Sequence, residues 1–266
     1  MNKPSTKEVK MENNADTAFK AFAEEMYKAW QKGDKKFSEW LNAGSKAPVD
    51  FKKKFSLDHL PEPYYYFKNC KNPLYVLNNN PGQGMNIQKR TKIKGSCYED
   101  ISKKIANDNY KNSNKIGKSA VRRIKNSEKC AEAFGCDGVV FVETFFLHSP
   151  DFKKNYFLKY YQNNEIVKTY FKLLGNFLKD KKVLCITATS SRGSLQGTKW
   201  LNEWAGYQAK LIGLNLAEAK SLAITKKGKK VTSCLIHNNG KFLFGTMGSN
   251  NLPNNLGEKI KEVLNK

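Results

Sequence analysis

The sequence predicts an α/β protein, with a central, mostly parallel sheet sandwiched in three layers (α/β/α) and a helical extension at the N-terminus. Three observations carry this reading. Short, uniformly apolar runs (Leu74-Tyr75-Val76-Leu77, Val139-Val140-Phe141-Val142 and Val183-Leu184-Cys185-Ile186) read as strands buried on both faces. Helical patterns alternate with them, as a parallel sheet requires. Polar clusters follow directly on these runs, where open α/β sheets bind ligands.

Taken in order, residues 1–14 are polar and expected to form an unstructured tail, with 15–266 as a single domain. Asp16 or Thr17 is placed to cap a helix to about Lys32, with Phe19, Phe22, Met26 and Trp30 on one face. A second short helix carries Phe37, Trp40 and Leu41. Pro61 to Phe67 leads into the first strand, at 73–79. The stretch 86–129 holds 13 Lys/Arg against 4 acidic residues; 116–134 reads as a helix closed by Gly135, and the rest as a long loop. The second strand is expected at 138–144, an amphipathic helix at 164–179, and the third strand at 183–188. A helix with Trp200, Leu201, Trp204, Ala205, Leu211 and Ile212 follows. The remainder is β-rich near 221–225, 231–236 and 241–247, with a hairpin signal at Asn239-Gly240 and a last helix at 255–264.

The chain of 266 residues has 47 Lys+Arg against 24 Asp+Glu, a formal charge of +23. Such an excess points to a polyanionic partner, DNA before RNA. Six cysteines form no CxxC pair, and the three histidines are scattered, so no metal site or cofactor is expected. The apolar stretches are too short to span a bilayer, and Met1-Asn2-Lys3-Pro4-Ser5 lacks a signal-peptide core. The expectation is a cytoplasmic, monomeric protein without membrane contact.

The most informative strand end is Asn80-Pro81-Gly82-Gln83-Gly84-Met85. Pro81 fixes one dihedral, and glycine lets backbone approach a ligand closely. Asn80 offers a neutral amide, for a water or a base edge, or for the turn itself. Lys89, Arg90, Lys92 and Lys94 follow this loop as a candidate track for a nucleic-acid backbone. Ser190-Ser191-Arg192-Gly193 ends the third strand, with Arg192 a candidate phosphate ligand. Ser249, Asn250 and Asn251 suit either phosphate contacts or loop capping. Glu143 is either a base-reading or acid/base group, or a charge at a solvated strand end. His148 reads as a satisfied loop histidine, the alternative being a ring that enters the pocket.

These strand ends, in this order, resemble the uracil-DNA glycosylase superfamily, nearest to its single-strand-selective monofunctional type. The first motif there is Asn-Pro-Gly followed shortly by Gly-Met; here residues 80–85 carry it with one residue fewer between the glycines. The second is His-Pro-Ser with a downstream Asn-Pro; here the candidate is Met247-Gly248-Ser249-Asn250-Asn251-Leu252-Pro253. The resemblance implies hydrolysis of the N-glycosidic bond of a flipped, damaged or deaminated base. It gives Asn80 the attacking water, and puts Pro81, Gly82, Gln83, Gly84 and Met85 against the nucleotide. It sets Glu143, or Thr144 if the register shifts by one, at the base edge. Met247 stands where the family has a histidine that stabilises the departing base, and methionine donates no hydrogen bond. A catalytically silent DNA- or RNA-binding protein on the same fold is therefore the alternative. A small-molecule nucleoside hydrolase is a third reading, for which the charge is unnecessary.

Overall fold

The computed structural model describes residues 6–66, 70–79, 81–82, 88–111, 118–149, 161, 163–188, 203–218, 220–224, 233–246 and 252–265. The chain divides into two compact units, each discontinuous in sequence. One comprises Met1–Pro63, Asn80–Ile101 and Phe145–Asp180; the other comprises Tyr64–Asn79, Ser102–Thr144 and Lys181–Lys266.

The second unit contains the sheet. Its strands among the described residues are β1 (Tyr64–Tyr66), β2 (Pro73–Asn78), β3 (Gly138–Glu143), β4 (Val183–Ala188), β5 (Lys220–Ile224), β6 (Ser233–Asn238) and β7 (Lys241–Thr246). They lie in the order β1-β3-β2-β4-β7-β6-β5. The four central strands β3, β2, β4 and β7 run parallel, and β1 and β6 flank them antiparallel. β3 and β4 thus lie on opposite sides of β2. The connections reverse direction there, which makes the carboxyl end of β2 a topological switch point.

The apolar strand patterns explain this arrangement. Leu74, Val76, Val139, Phe141, Leu184, Ile186, Phe242 and Phe244 share one face. That face packs under helices α4 (Lys118–Ala133) and α7 (Leu256–Leu264) through Ile124, Cys130, Phe134, Leu256 and Ile260. The two helices approach so closely that a Cβ on Gly257 would lie 2.7 Å from the Lys129 carbonyl oxygen. The opposite face carries Leu77, Val140, Val142, Cys185 and Leu243, all fully buried. Helix α6 (Glu203–Leu211) packs against β4.

The first unit is helical. Helices α1 (Thr6–Gln31), α2 (Asp34–Leu41) and α5 (Glu165–Leu178) surround an aromatic core. There Phe19 stacks on Phe177 at 4.4 Å, and Tyr170 meets Phe146 at 4.8 Å and Phe22 at 5.6 Å. The Asn164 side chain caps α5 by accepting from the Val167 amide at 3.0 Å.

Three differences from the sequence reading have physical reasons. Helix α1 begins at Thr6, well before Asp16, over residues of good helix propensity such as Lys7, Glu8 and Met11. Part of the expected long loop is helix α3 (Tyr98–Lys111). Its polar composition conceals a short buried stripe of Tyr98, Ile101, Ser102 and Ala106, and the Glu24 carboxylate accepts its first amide, from Tyr98, at 2.7 Å. The Tyr64–Tyr66 run, read as a lead-in, is itself an edge strand against Val140–Val142.

Candidate functional site

In the second unit, β2 and β3 end in register, with Asn78 opposite Glu143. Both residues are buried, at 3% and 2% exposure, so Glu143 is no solvated strand-end charge. Asn78 Nδ2 donates to Glu143 Oε1 at 3.2 Å. That bond orients the amide: its oxygen facing a carboxylate would be repelled. Next in the chain, the Thr144 amide donates to the Asn78 carbonyl at 3.0 Å, and so does the Thr144 hydroxyl.

Helix α6 completes this network. Gln208 Nε2 donates to Thr144 Oγ1 at 2.9 Å and to the Asn78 carbonyl at 3.4 Å. One turn earlier, Trp204 Nε1 donates to Asn79 Oδ1 at 2.7 Å. Trp204 and Gln208 lie four residues apart on the buried side of α6, which brings both to the ends of the strands. Thr144 therefore spends its hydroxyl on the protein.

Donors and acceptors do not balance here. The Asn78 and Gln208 amides and the Thr144 hydroxyl donate to protein oxygens. Among the described residues, Asn78 Oδ1, Thr187 Oγ1 and Gln208 Oε1 are buried without a hydrogen-bond partner. Leaving such atoms unmet costs roughly 1–3 kcal/mol each.

The first unit holds the start of the Asn-Pro-Gly loop. The Ser149 amide donates to the Pro81 carbonyl at 3.1 Å. His148, 2% exposed, lies with Nδ1 3.0 Å from the Gly82 carbonyl and Nε2 2.9 Å from the Leu60 carbonyl. Burial pushes its pKa down from 6.5 to about 4. The ring is then neutral at pH 7 and donates to one carbonyl at a time. This is the satisfied loop histidine of the sequence reading. His59 lies 5.5 Å from it, ring to ring, with its Nδ1 2.8 Å from the Asp58 carboxylate. The chain around His59 pairs antiparallel with Lys89, which ties down the far end of the same loop.

The basic track behaves unevenly. Lys92 and Lys94 are exposed. Lys89 is partly exposed and 3.9 Å from the Asp58 carboxylate. Arg90 is built into the protein: it pairs with Asp34 at 2.6 Å, donates to the Leu57 carbonyl at 2.8 Å and lies 4.9 Å over the Trp30 ring. Asn80, Gln83, Gly84, Met85, Arg192, Met247, Ser249 and Asn250 lie outside the described residues.

Sequence reasoning passed over Asn78 as a site residue and missed Gln208. The one signal for Gln208 is an uncharged polar residue amid the apolar positions of α6. The first unit also contains a cavity of about 820 Å³ lined by Pro48, Val49, Lys53, Tyr161, Asn164 and Lys168 among others. None of the sequence-predicted site residues lines it, and Lys53 and Lys168 pair with Asp50 and Glu165. Among the described residues no group of His, Cys, Asp and Glu is arranged to hold a metal, and no helix is long and apolar enough to cross a membrane. Comparison with protein-family models, with curated proteins and with solved structures gives no match.

Proposed function

We propose that this chain acts on nucleic acid, DNA first, as a uracil-DNA glycosylase-like protein that takes up a flipped base and hydrolyses its N-glycosidic bond. The observation that carries the reading is the buried Asn78–Glu143 pair at the switch-point end of β2, directly before Asn80-Pro81-Gly82 in the chain. In the reaction, the water oxygen bonds to C1′ as the bond from C1′ to the base nitrogen breaks. The electron pair of that bond leaves with the base, which takes up a proton, and the attacking water loses one. The resemblance assigns the water to Asn80 and the base edge to Glu143. The +23 charge supports a polymer substrate, with Lys89, Lys92 and Lys94 on its phosphates.

Glu143 also favours a second reading. A carboxylate beside the base opposes negative charge on the leaving group, as suits a protein that holds a base without releasing it. Binding to labelled single- and double-stranded oligonucleotides across a salt series tests the common part. A polymer binder loses affinity steeply with salt, whereas a nucleoside hydrolase is indifferent to it. Detection of abasic sites in the same strands then separates the glycosylase from the silent binder.

A further inference from the structure

We infer that the cavity of about 820 Å³ in the first unit is a binding site for a small amphipathic anion, an apolar or aromatic body carrying one carboxylate or phosphate group. This site is independent of the nucleic-acid reading, because none of the residues assigned to the base, the water or the phosphates lines it. Packed interiors leave few voids larger than a water molecule. A space of this size falls instead in the range of small-molecule sites, about 300–1,000 Å³.

The walls are held in place without a ligand. The loop from Gly44 to Asp50 lines one part of the cavity, and the start of α5 lines another. Asn42 fixes the loop: its Nδ2 donates to the Val49 carbonyl at 3.0 Å, and its Oδ1 accepts from the Val49 amide at 2.7 Å. Gly44, at φ 71°, turns the chain there. The Glu165 amide donates to Ser45 Oγ at 3.2 Å, and the Asn164 side chain donates to the Leu41 carbonyl at 2.8 Å, so loop and helix are tied together. Tyr161 stacks on Phe51 at 5.2 Å and meets Phe55 at 5.4 Å, which anchors the remaining wall. A ligand therefore enters a formed site and orders no loop on binding.

The lining is apolar and basic together. Ala47, Pro48, Val49 and the Tyr161 ring supply apolar surface. Among the described residues, Lys46, Lys53, Lys54 and Lys168 stand there against two carboxylates, Asp50 and Glu165. The carboxylates are already matched, with Lys53 3.5 Å from Asp50 and Lys168 2.8 Å from Glu165. Lys46 is exposed and meets no acid among the described residues. A cation would enter against this positive excess, and a neutral molecule would leave it unanswered. An anionic head group on an apolar body answers both surfaces. Exposed ion pairs hold weakly, so Lys53 and Lys168 are free to turn toward such a head group.

The test is isothermal titration calorimetry of the full chain with naphthoate, naphthyl phosphate and the neutral naphthyl methanol. One saturable site is expected for the anions, at least about tenfold tighter than for the neutral compound. Whichever anion binds tighter names the head group. Ala47→Trp, at an exposed position of the lining, fills the space and should weaken both anions at least about tenfold. Lys46→Glu should weaken them by about three- to tenfold and leave the neutral compound unchanged. Lys179→Glu makes the same charge change at the other end of α5 and should have no effect. Wild-type Tm values show that the variants fold. Lack of a saturable site for either anion, equal affinity for the neutral compound, or anion binding unchanged in Ala47→Trp or in Lys46→Glu overturns the inference.

Discussion

Replacing His148 is the sharpest test of how the Asn-Pro-Gly loop is held. The ring is buried between the carbonyls of Gly82 and Leu60, so His148→Ala removes a hydrogen bond and leaves both carbonyls facing a void. The lost bond, the unmet carbonyl and the cavity together cost about 3–5 kcal/mol. The pH dependence is more diagnostic. The folded pKa lies near 4 against 6.5 for the free side chain, so the unfolded chain takes up the proton first. Stability from this depression is complete above pH 6.5 and is lost as pH falls through 4. Over that window the loss approaches about 3 kcal/mol, at 1.36 kcal/mol for each pH unit of separation. Asp58, His59 and Glu62 face the same ring and are present in both proteins, so the comparison is made between chains. Urea unfolding of the wild type and His148→Gln between pH 7.5 and 4.5 should show the stability gap narrowing on acidification. A gap independent of pH, or ¹⁵N chemical shifts showing an imidazolium at pH 7, would refute the reasoning.

Other expectations follow from the same contacts. Gly257→Ala forces a Cβ against the Lys129 carbonyl and should destabilise by about 2–3 kcal/mol, seen as a fall in Tm. Thr144→Val keeps the shape but removes the hydroxyl from between Gln208 and the Asn78 carbonyl; urea midpoints should register about 1–3 kcal/mol. Arg90→Ala should lower stability, through Asp34, Leu57 and Trp30, and leave the salt slope of oligonucleotide binding unchanged. Lys94→Ala should do the reverse, reducing that slope by about 1 without moving Tm.

Where local chemistry decides the structure, it could be read from the sequence. The third strand of the sequence reading, at 183–188, is β4 at Val183–Ala188, because an apolar run this short, rich in β-formers and bounded by polar residues, suits a doubly buried strand. Asn239-Gly240 forms the tight hairpin its residues imply, with φ of 46° and 73°. Gly135, at φ 66°, closes α4. Helix α3 escaped because its polar side chains hide the few buried ones, and β1 because three residues carry no period. The candidate site divides in the same way. Glu143 was singled out from its polarity at a strand end, where it is buried against Asn78. Gln208 was not, since one of its acceptors is a backbone carbonyl 130 positions away. Arg90 looked like its lysine neighbours in sequence, and only the fold reveals Asp34 and Trp30 around it.

The most direct test of the account is base release. End-labelled single- and double-stranded oligonucleotides carrying uracil, hypoxanthine, xanthine or 8-oxoguanine would be incubated with the full chain and cleaved with alkali, with Asn80→Ala as the control. The account predicts strand scission at a modified base with the wild type, and none with Asn80→Ala. Intact strands with the wild type would contradict hydrolysis of the glycosidic bond, and scission that persists in Asn80→Ala would contradict the role given to that residue.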